Sequence, residues 1–282
     1  MVVHTIEEVR RNVARARAEG KRIGFVPTMG ALHSGHAALV ERSVAECGYT
    51  VVSVFVNKLQ FGPGEDFDKY PRTLEADAAL CRKVGADLVF APSHAEMYPA
   101  EPRSFVEVEG LTEGLCGRYR PGHFRGVTTV VTKLFHIVGP DVAYFGEKDA
   151  QQLFVIRRMV RDLDFPVEIR SVPTVREKDG LAMSSRNRYL SPEERAAAPA
   201  LYRGLCRARE LATAGEQDAE RLKAAVREEI AREPLMREQY VELVDLDELK
   251  PVAKVDGKAL LAAAVFVGET RLIDNVVIDR RA

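Results

Sequence analysis

The sequence lacks an excess of either charge. Its 41 Lys and Arg stand against 42 Asp and Glu, for a net charge of −1. That excludes bulk attraction to nucleic acid or an anionic membrane and leaves room only for local basic clusters. Cysteine is sparse: Cys47, Cys81, Cys116 and Cys206 lie far apart with no Cys-x-x-Cys pair. This argues against a disulfide framework and predicts reduced, mostly buried thiols of a cytoplasmic protein. No stretch approaches the roughly 20 apolar residues of a membrane span, and Arg10, Arg11, Arg15 and Arg17 interrupt any apolar leader near the start. Internal repeats and low-complexity tracts are absent. What remains is ordinary globular composition, 46% hydrophobic and 29% charged over 282 residues, enough for a large core and two domains of unequal size.

Short apolar runs alternate with helical patterns. Strands are predicted at 22–26, 50–56, 87–90, 142–145 and 167–172, and helices at 5–19, 36–47, 73–84, 126–138 and 149–162. Several runs are apolar throughout, as in strands buried on both faces. The alternation implies an α/β fold, a Rossmann-like parallel sheet with helices on both faces, in which ligands bind beyond the carboxyl ends of the strands. The texture changes after about residue 176. Ser191-Pro192-Glu193-Glu194 is a helix start, helices are predicted over 192–213 and 217–232, and strand-like segments follow at 239–244 and 259–266, with a tail over 270–278. The expected division is a nucleotide- and substrate-binding domain over 1–176 and a smaller C-terminal α+β domain over 177–282.

The most informative segment, Pro27 to His36, sits between a buried strand and a helix start. A strand, a glycine-bearing turn and a helix N-terminus offer unpaired N–H groups and the positive end of a dipole to an anion. His33 and His36, three residues apart, are predicted on one face of the first turn, where imidazoles can donate to phosphate oxygens. A surface loop or half of a metal site also fits the spacing. The other histidines, His4, His94, His123 and His136, are scattered and do not form the cluster that zinc recruits.

Further polar groups follow the other strands. Asn57 and Gln60 are neutral amides suited to orienting a substrate, although Asn and Gly-Pro also occur in plain turns. Gly146, Glu147, Lys148 and Asp149 combine close backbone approach, a point charge for phosphate and a helix cap, with Gln152 one turn on. Arg118 to Gly126 concentrates Arg120, His123 and Arg125 in a glycine-proline loop able to hold a carboxylate or phosphate, or merely to be solvated. Met183, Ser184, Ser185, Arg186 and Asn187 follow the last strand of the first domain, with two hydroxyls and a guanidinium for phosphates.

Together these segments resemble the pantothenate synthetase (pantoate–β-alanine ligase) family over nearly the whole chain. The likeness is densest in Pro27–His36, Phe55–Gly62, Tyr70-Pro71-Arg72-Thr73, Arg120–Gly126, Tyr144–Gln152, Met183–Asn187 and Leu272-Ile273-Asp274-Asn275. The first and last catalytic segments also resemble, far less specifically, the two signatures of class I aminoacyl-tRNA synthetases and related nucleotidylyltransferases. The resemblance implies that pantoate attacks ATP to give pantoyl adenylate and pyrophosphate, and that β-alanine then displaces AMP. It implies ATP contacts from Met29, Gly30, Ala31, Leu32, His33, Ser34, Gly35 and His36, from Gly146, Glu147, Lys148 and Asp149, from Val175, and from Met183, Ser184, Ser185 and Arg186. His36, His33, Lys148 and Arg186 would carry the charge that develops. Gln60 and Gln152 would hold pantoate, Gln60 would also meet β-alanine, and Asn57, Arg120 and His123 would line the pantoate pocket. Mg²⁺ would ride mainly on the ATP phosphates with help from Asp77 or Glu75. The smaller domain would close over the ATP site, and a homodimer is expected.

Two other function classes compete with the ligase, a nucleotidylyltransferase that stops at the adenylate and a non-catalytic nucleotide-binding module. One residue departs from the family pattern. Lys58 stands where proline usually follows the strand-end asparagine, which frees a backbone torsion that proline would fix.

Overall fold

The computed structural model describes residues Met1–Asp279. Contacts divide the chain into two units. One comprises Met1–Glu109, Arg120–Glu147 and Gln152–Pro173; the other comprises Gly110–Tyr119, Lys148–Gln151 and the chain from Thr174 onward. The two short segments that join the C-terminal unit are an allocation that no single cut in the sequence can express.

The first unit is built on six parallel strands, β1 (Val2–Val3), β2 (Ile23–Thr28), β3 (Tyr49–Val54), β4 (Leu88–Phe90), β5 (Val142–Gly146) and β6 (Glu168–Val172), in the order β1-β4-β3-β2-β5-β6. The parallel sheet with flanking helices is the fold expected from the alternating pattern. Adjacent residues on a strand face opposite sides, so the apolar run of β2 feeds two cores. Phe25 packs with Val51, Phe90 and the helices Ile6–Ala18, His123–Val138 and Ala150–Asp162. Val26 packs with Val52, Val89, Tyr144 and the helices Ser34–Glu46 and Leu74–Lys83. Strand β1 has no counterpart among the predicted strands, because two residues are too few to display a period.

Strand order reverses between β2 and β5. These two pair only through Gly24–Val142 and Phe25–Ala143, whereas β2 and β3 pair along their full length. Beyond the second rung the strands part, and a crevice at such a switch point is where open α/β sheets take ligands. The turn leading to His33 follows β2, and Gly146 ends β5.

In the second unit, β7 (Met236–Val244), β8 (Lys258–Val267) and β9 (Thr270–Asp279) form an antiparallel sheet. Leu201, Leu205, Leu222 and Val226 pack against Leu261, Val265, Val276 and Ile278. The single helix predicted over 192–213 is in fact two, Pro192–Ala197 and Ala200–Thr213. Pro199 has no N–H to continue the first helix and serves as the N-cap of the second.

One buried carboxylate fixes the turn after β2. Gly30 and Ala31 both adopt left-handed backbone, with φ of 84° and 51°, a conformation unfavourable for alanine. Asp77, 2% exposed, accepts the N–H of Ala31 at 3.0 Å and of Leu32 at 2.8 Å, and the Thr73 hydroxyl at 3.2 Å. A Cβ on Gly30 would lie 2.9 Å from the Val54 side chain and 3.0 Å from Asp77 Oδ2, so both the φ and the crowding call for glycine. Replacing Asp77 with Ala strands two buried donors. The expected loss is about 2–4 kcal/mol, read as a lower urea midpoint; an unchanged midpoint would remove Asp77 from this role.

Candidate active site

The helix Ser34–Glu46 begins two residues earlier than predicted, and His33 is its N-cap in extended backbone rather than part of the first turn. The two histidines cap the helix reciprocally. The Gly35 N–H donates to His33 Nδ1 at 3.1 Å, and the His33 N–H donates to His36 Nδ1 at 3.3 Å. Their ring centroids lie 4.1 Å apart. Because each Nδ1 accepts, each ring, when neutral, carries its proton on Nε2. No acidic residue occupies the first turn of this helix, whereas the helices at Ile6 and Pro192 carry Glu7, Glu8 and Glu193, Glu194 there. The positive end of the dipole therefore favours an external anion.

Within the predicted ATP segment the residues divide by task. Gly30, Ala31 and Leu32 are buried, and the last two direct their N–H groups at Asp77. Met29, His33, Gly35 and His36 are partly exposed and Ser34 is exposed. The structure therefore separates a bracing stretch from an accessible one where the sequence suggests a continuous contact.

Gln60 lies beside this turn. It is 8% exposed, its Nε2 contacts Met29 Sδ at 3.1 Å, and its Oε1 accepts from Asn57 Nδ2 at 3.2 Å. Asn57 is enclosed. Its Nδ2 also donates to the Gly126 carbonyl at 3.0 Å, and its Oδ1 accepts the Tyr98 hydroxyl at 3.1 Å. Burial pushes the Tyr98 hydroxyl up to about 12, so it remains a donor at neutral pH. With every polar atom engaged inside the protein, Asn57 shapes the Asn57–Gln60 turn rather than facing a substrate. Gly126 permits this arrangement, since a Cβ there would fall 2.3 Å from the Leu59 carbonyl oxygen.

Arg120 and His123 support the same turn. His123 Nδ1 lies 2.8 Å from the Gln60 carbonyl oxygen, and Arg120 Nη2 donates to it at 3.3 Å. Arg120 also grips Glu65 in bidentate fashion at 2.7 and 2.6 Å. Burial alone would raise the Glu65 carboxyl, but the hydrogen bonds and charge of Arg120 hold it below its ordinary value. The Arg120 guanidinium therefore already has its carboxylate, and the anion-holding role expected of it is taken within the protein. Neither Glu65 nor Tyr98 belongs to a pattern that would mark it in the sequence.

In the second unit, Lys148 lies 3.8 Å from Asp149. Asp149 ends a tight turn, Glu147–Asp149, and stands immediately before the helix at Ala150. Val175 and Met183 come together, with the Met183 N–H donating to the Val175 carbonyl at 3.0 Å. Ser184 caps the turn Ser185–Tyr189 through the Arg186 N–H at 3.3 Å. Gln152 is partly exposed, while its neighbour Gln151 is buried. Gln151 accepts the Cys116 N–H and donates to the carbonyls of Leu111 and Gly114 at 2.8–2.9 Å. This holds the segment 110–119, a role that adjacent glutamines do not reveal in sequence.

Among the described residues, no group of three His, Cys, Asp or Glu side chains is arranged to hold a metal. Asp77, named with Glu75 as a helper for Mg²⁺, has its oxygens turned to Ala31, Leu32 and Thr73. Its place on the buried face of its helix, four residues from buried Cys81, was the available signal, since a carboxylate there must find donors.

A family model described as pantoate-beta-alanine ligase matches residues 1–277. The pantothenate synthetase of Carboxydothermus hydrogenoformans is 57% identical over 275 residues, covering 97% of each chain. That of Heliobacterium modesticaldum is 58% identical over 277 residues, covering 97% of this chain and 99% of its own. Among solved structures, pantothenate synthetase from Thermus thermophilus superposes with a TM-score of 0.93 at 52% identity, covering 98% of each chain. Pantoate-beta-alanine ligase from Francisella tularensis, solved with beta-gamma ATP and beta-alanine, gives 0.79 at 30% identity, covering 100% of this chain and 98% of its own. The chain belongs to the pantoate-beta-alanine ligase family.

Proposed function

We propose that this enzyme joins pantoate to β-alanine, driven by cleavage of ATP. A pantoate carboxylate oxygen attacks the α-phosphorus, and the bond to pyrophosphate breaks. The β-alanine amine then attacks the acyl carbon, AMP leaves, and the amine sheds a proton to give pantothenate. Beside family membership, the observation that carries this reading is the helix N-terminus at His33–His36. It is free of acidic residues in its first turn and edged by two imidazoles whose Nδ1 atoms are engaged as acceptors.

Negative charge grows on the phosphates in the first step. The His33 and His36 Nε2–H groups donate to that charge, and Lys148 and Arg186 oppose it in the second unit together with the Ser184 and Ser185 hydroxyls. In-line displacement needs positioning more than a protein nucleophile, so the carboxylate reacts with ATP directly, without a covalent enzyme intermediate. Gln60 and Gln152 orient pantoate as neutral amides, and Gln60 also meets β-alanine. Asn57, Arg120 and His123 act through Gln60, by shaping and anchoring its turn. Mg²⁺ would ride mainly on the ATP phosphates and supply neutralisation of their charge. The family resemblance supports a homodimer. Cytoplasmic location is supported by four free thiols, at Cys47, Cys81, Cys116 and Cys206.

The deciding assay supplies ATP, pantoate and Mg²⁺ with and without β-alanine. A ligase sustains AMP release only with the amine. Steady turnover without it would instead favour a nucleotidylyltransferase, and no pyrophosphate under either condition would favour a binding module. His36→Ala is expected to lower kcat by about 100-fold or more with its circular dichroism unchanged, and wild-type turnover would exclude His36 from the chemistry. Lys58→Pro is expected to preserve or improve pantoate KM and to add about 0.4–1 kcal/mol of stability. Lys58 opens the tight turn Lys58–Gln60 and follows an extended Asn57 with ψ of 109°, both compatible with proline. A large rise in pantoate KM would refute that expectation.

A further inference from the structure

The segment Leu272-Ile273-Asp274-Asn275 is part of the family likeness but has no role in the reaction as described. On β9, beyond buried Thr270 at its start, the buried row runs through Leu272, Asp274, Val276 and Ile278. Three of these are apolar; the fourth is a carboxylate 4% exposed. A charge in such a row persists only if its hydrogen bonds are met. Asp274 Oδ2 accepts from Arg176 Nη1 at 2.6 Å, and Oδ1 accepts from Arg176 Nη2 at 3.0 Å and from the Asn275 N–H at 2.8 Å. The guanidinium lies 3.5 Å from the Tyr202 ring centroid and donates to the Gly180 carbonyl at 3.1 Å. Arg176 in turn bridges to Ala182 as an isolated antiparallel pair, and the next link is Met183 N–H to the Val175 carbonyl. Holding Arg176 therefore holds the two-stranded base from which Met183–Arg186 emerges.

Successive residues of a strand face opposite sides, so Asn275 is turned away from Asp274. Its Nδ2 donates to the Lys148 carbonyl at 3.0 Å. One dipeptide thus reaches both segments of this unit that carry cations for phosphate.

We propose that Asp274 and Asn275 are positioning residues that hold Lys148 and the Met183–Arg186 turn in one register for the phosphates of ATP. The proposal rests on the reading of those two segments as ATP contacts.

The test compares Asn275→Ala, Lys148→Ala and the double variant by kcat and by KM for each substrate. Asn275→Ala is expected to lower kcat/KM for ATP by about tenfold, the worth of one oriented hydrogen bond. KM for pantoate and for β-alanine should stay within about twofold, and in the Lys148→Ala background the Asn275 effect should shrink to about twofold or less. Asp274→Asn, which keeps the shape of the carboxylate but not its charge, should show the same ATP-selective loss; if it does not fold, Asn275→Ala decides alone. An unimpaired Asn275→Ala beside a damaged Lys148→Ala overturns the proposal and leaves the ATP reading standing. An unimpaired Lys148→Ala overturns the ATP reading and the proposal with it. Equal losses for all three substrates, or full additivity in the double variant, mark a merely structural role and also overturn the proposal.

Discussion

The pairing of one buried carboxylate with two backbone N–H groups sets the geometry on which the first unit's site depends. Asp77 holds Ala31 and Leu32 across a turn in which two successive residues take left-handed backbone. An unbraced alanine would leave that conformation. With the turn held, the chain enters the helix at His33 in extended backbone, and the His33 and His36 imidazoles cap the backbone N–H groups of Gly35 and His33. The carboxylate gains what it needs in exchange, since a buried charge survives only when its hydrogen bonds are satisfied.

From this brace follows the chemistry of the histidines. A histidine whose Nδ1 accepts a backbone N–H has one remaining role while neutral, that of an Nε2–H donor. Two such rings stand at a helix N-terminus with no acidic residue in its first turn, where the helix dipole favours an anion. The neighbouring turn obeys a similar logic. Asn57 commits its polar atoms to Gly126, Tyr98 and Gln60, and Arg120 commits its charge to Glu65. Gln60 is thereby presented by groups that need not touch a substrate themselves.

The elements were largely legible because burial imposes a period. Apolar runs marked the strands that the sheet covers on both faces, and the three- and four-residue spacing of apolar side chains marked the helices. The failures were also physical. Pro199 splits a helix whose apolar period continues across it, and β1 is shorter than any period. The segments 110–119 and 148–151 belong to the C-terminal unit and are tied to each other by Gln151, which nothing in the local pattern distinguishes from Gln152.

By itself the sequence determined the order of strands and helices, the apolar cores, the polar residue types at the strand ends, and the family. Tertiary structure decided which of those polar residues are committed to the protein. Asp77 moved from a possible helper of Mg²⁺ to the brace of a turn, Asn57 from a contact to a scaffold, and Arg120 from an anion holder to half of an ion pair. The reason is the range of the interactions. These hydrogen bonds join residues 46, 69 and 55 positions apart, whereas periodicity reports only which face a residue presents. Whether a polar side chain finds its partner at home is known only when distant strands and helices have been packed together.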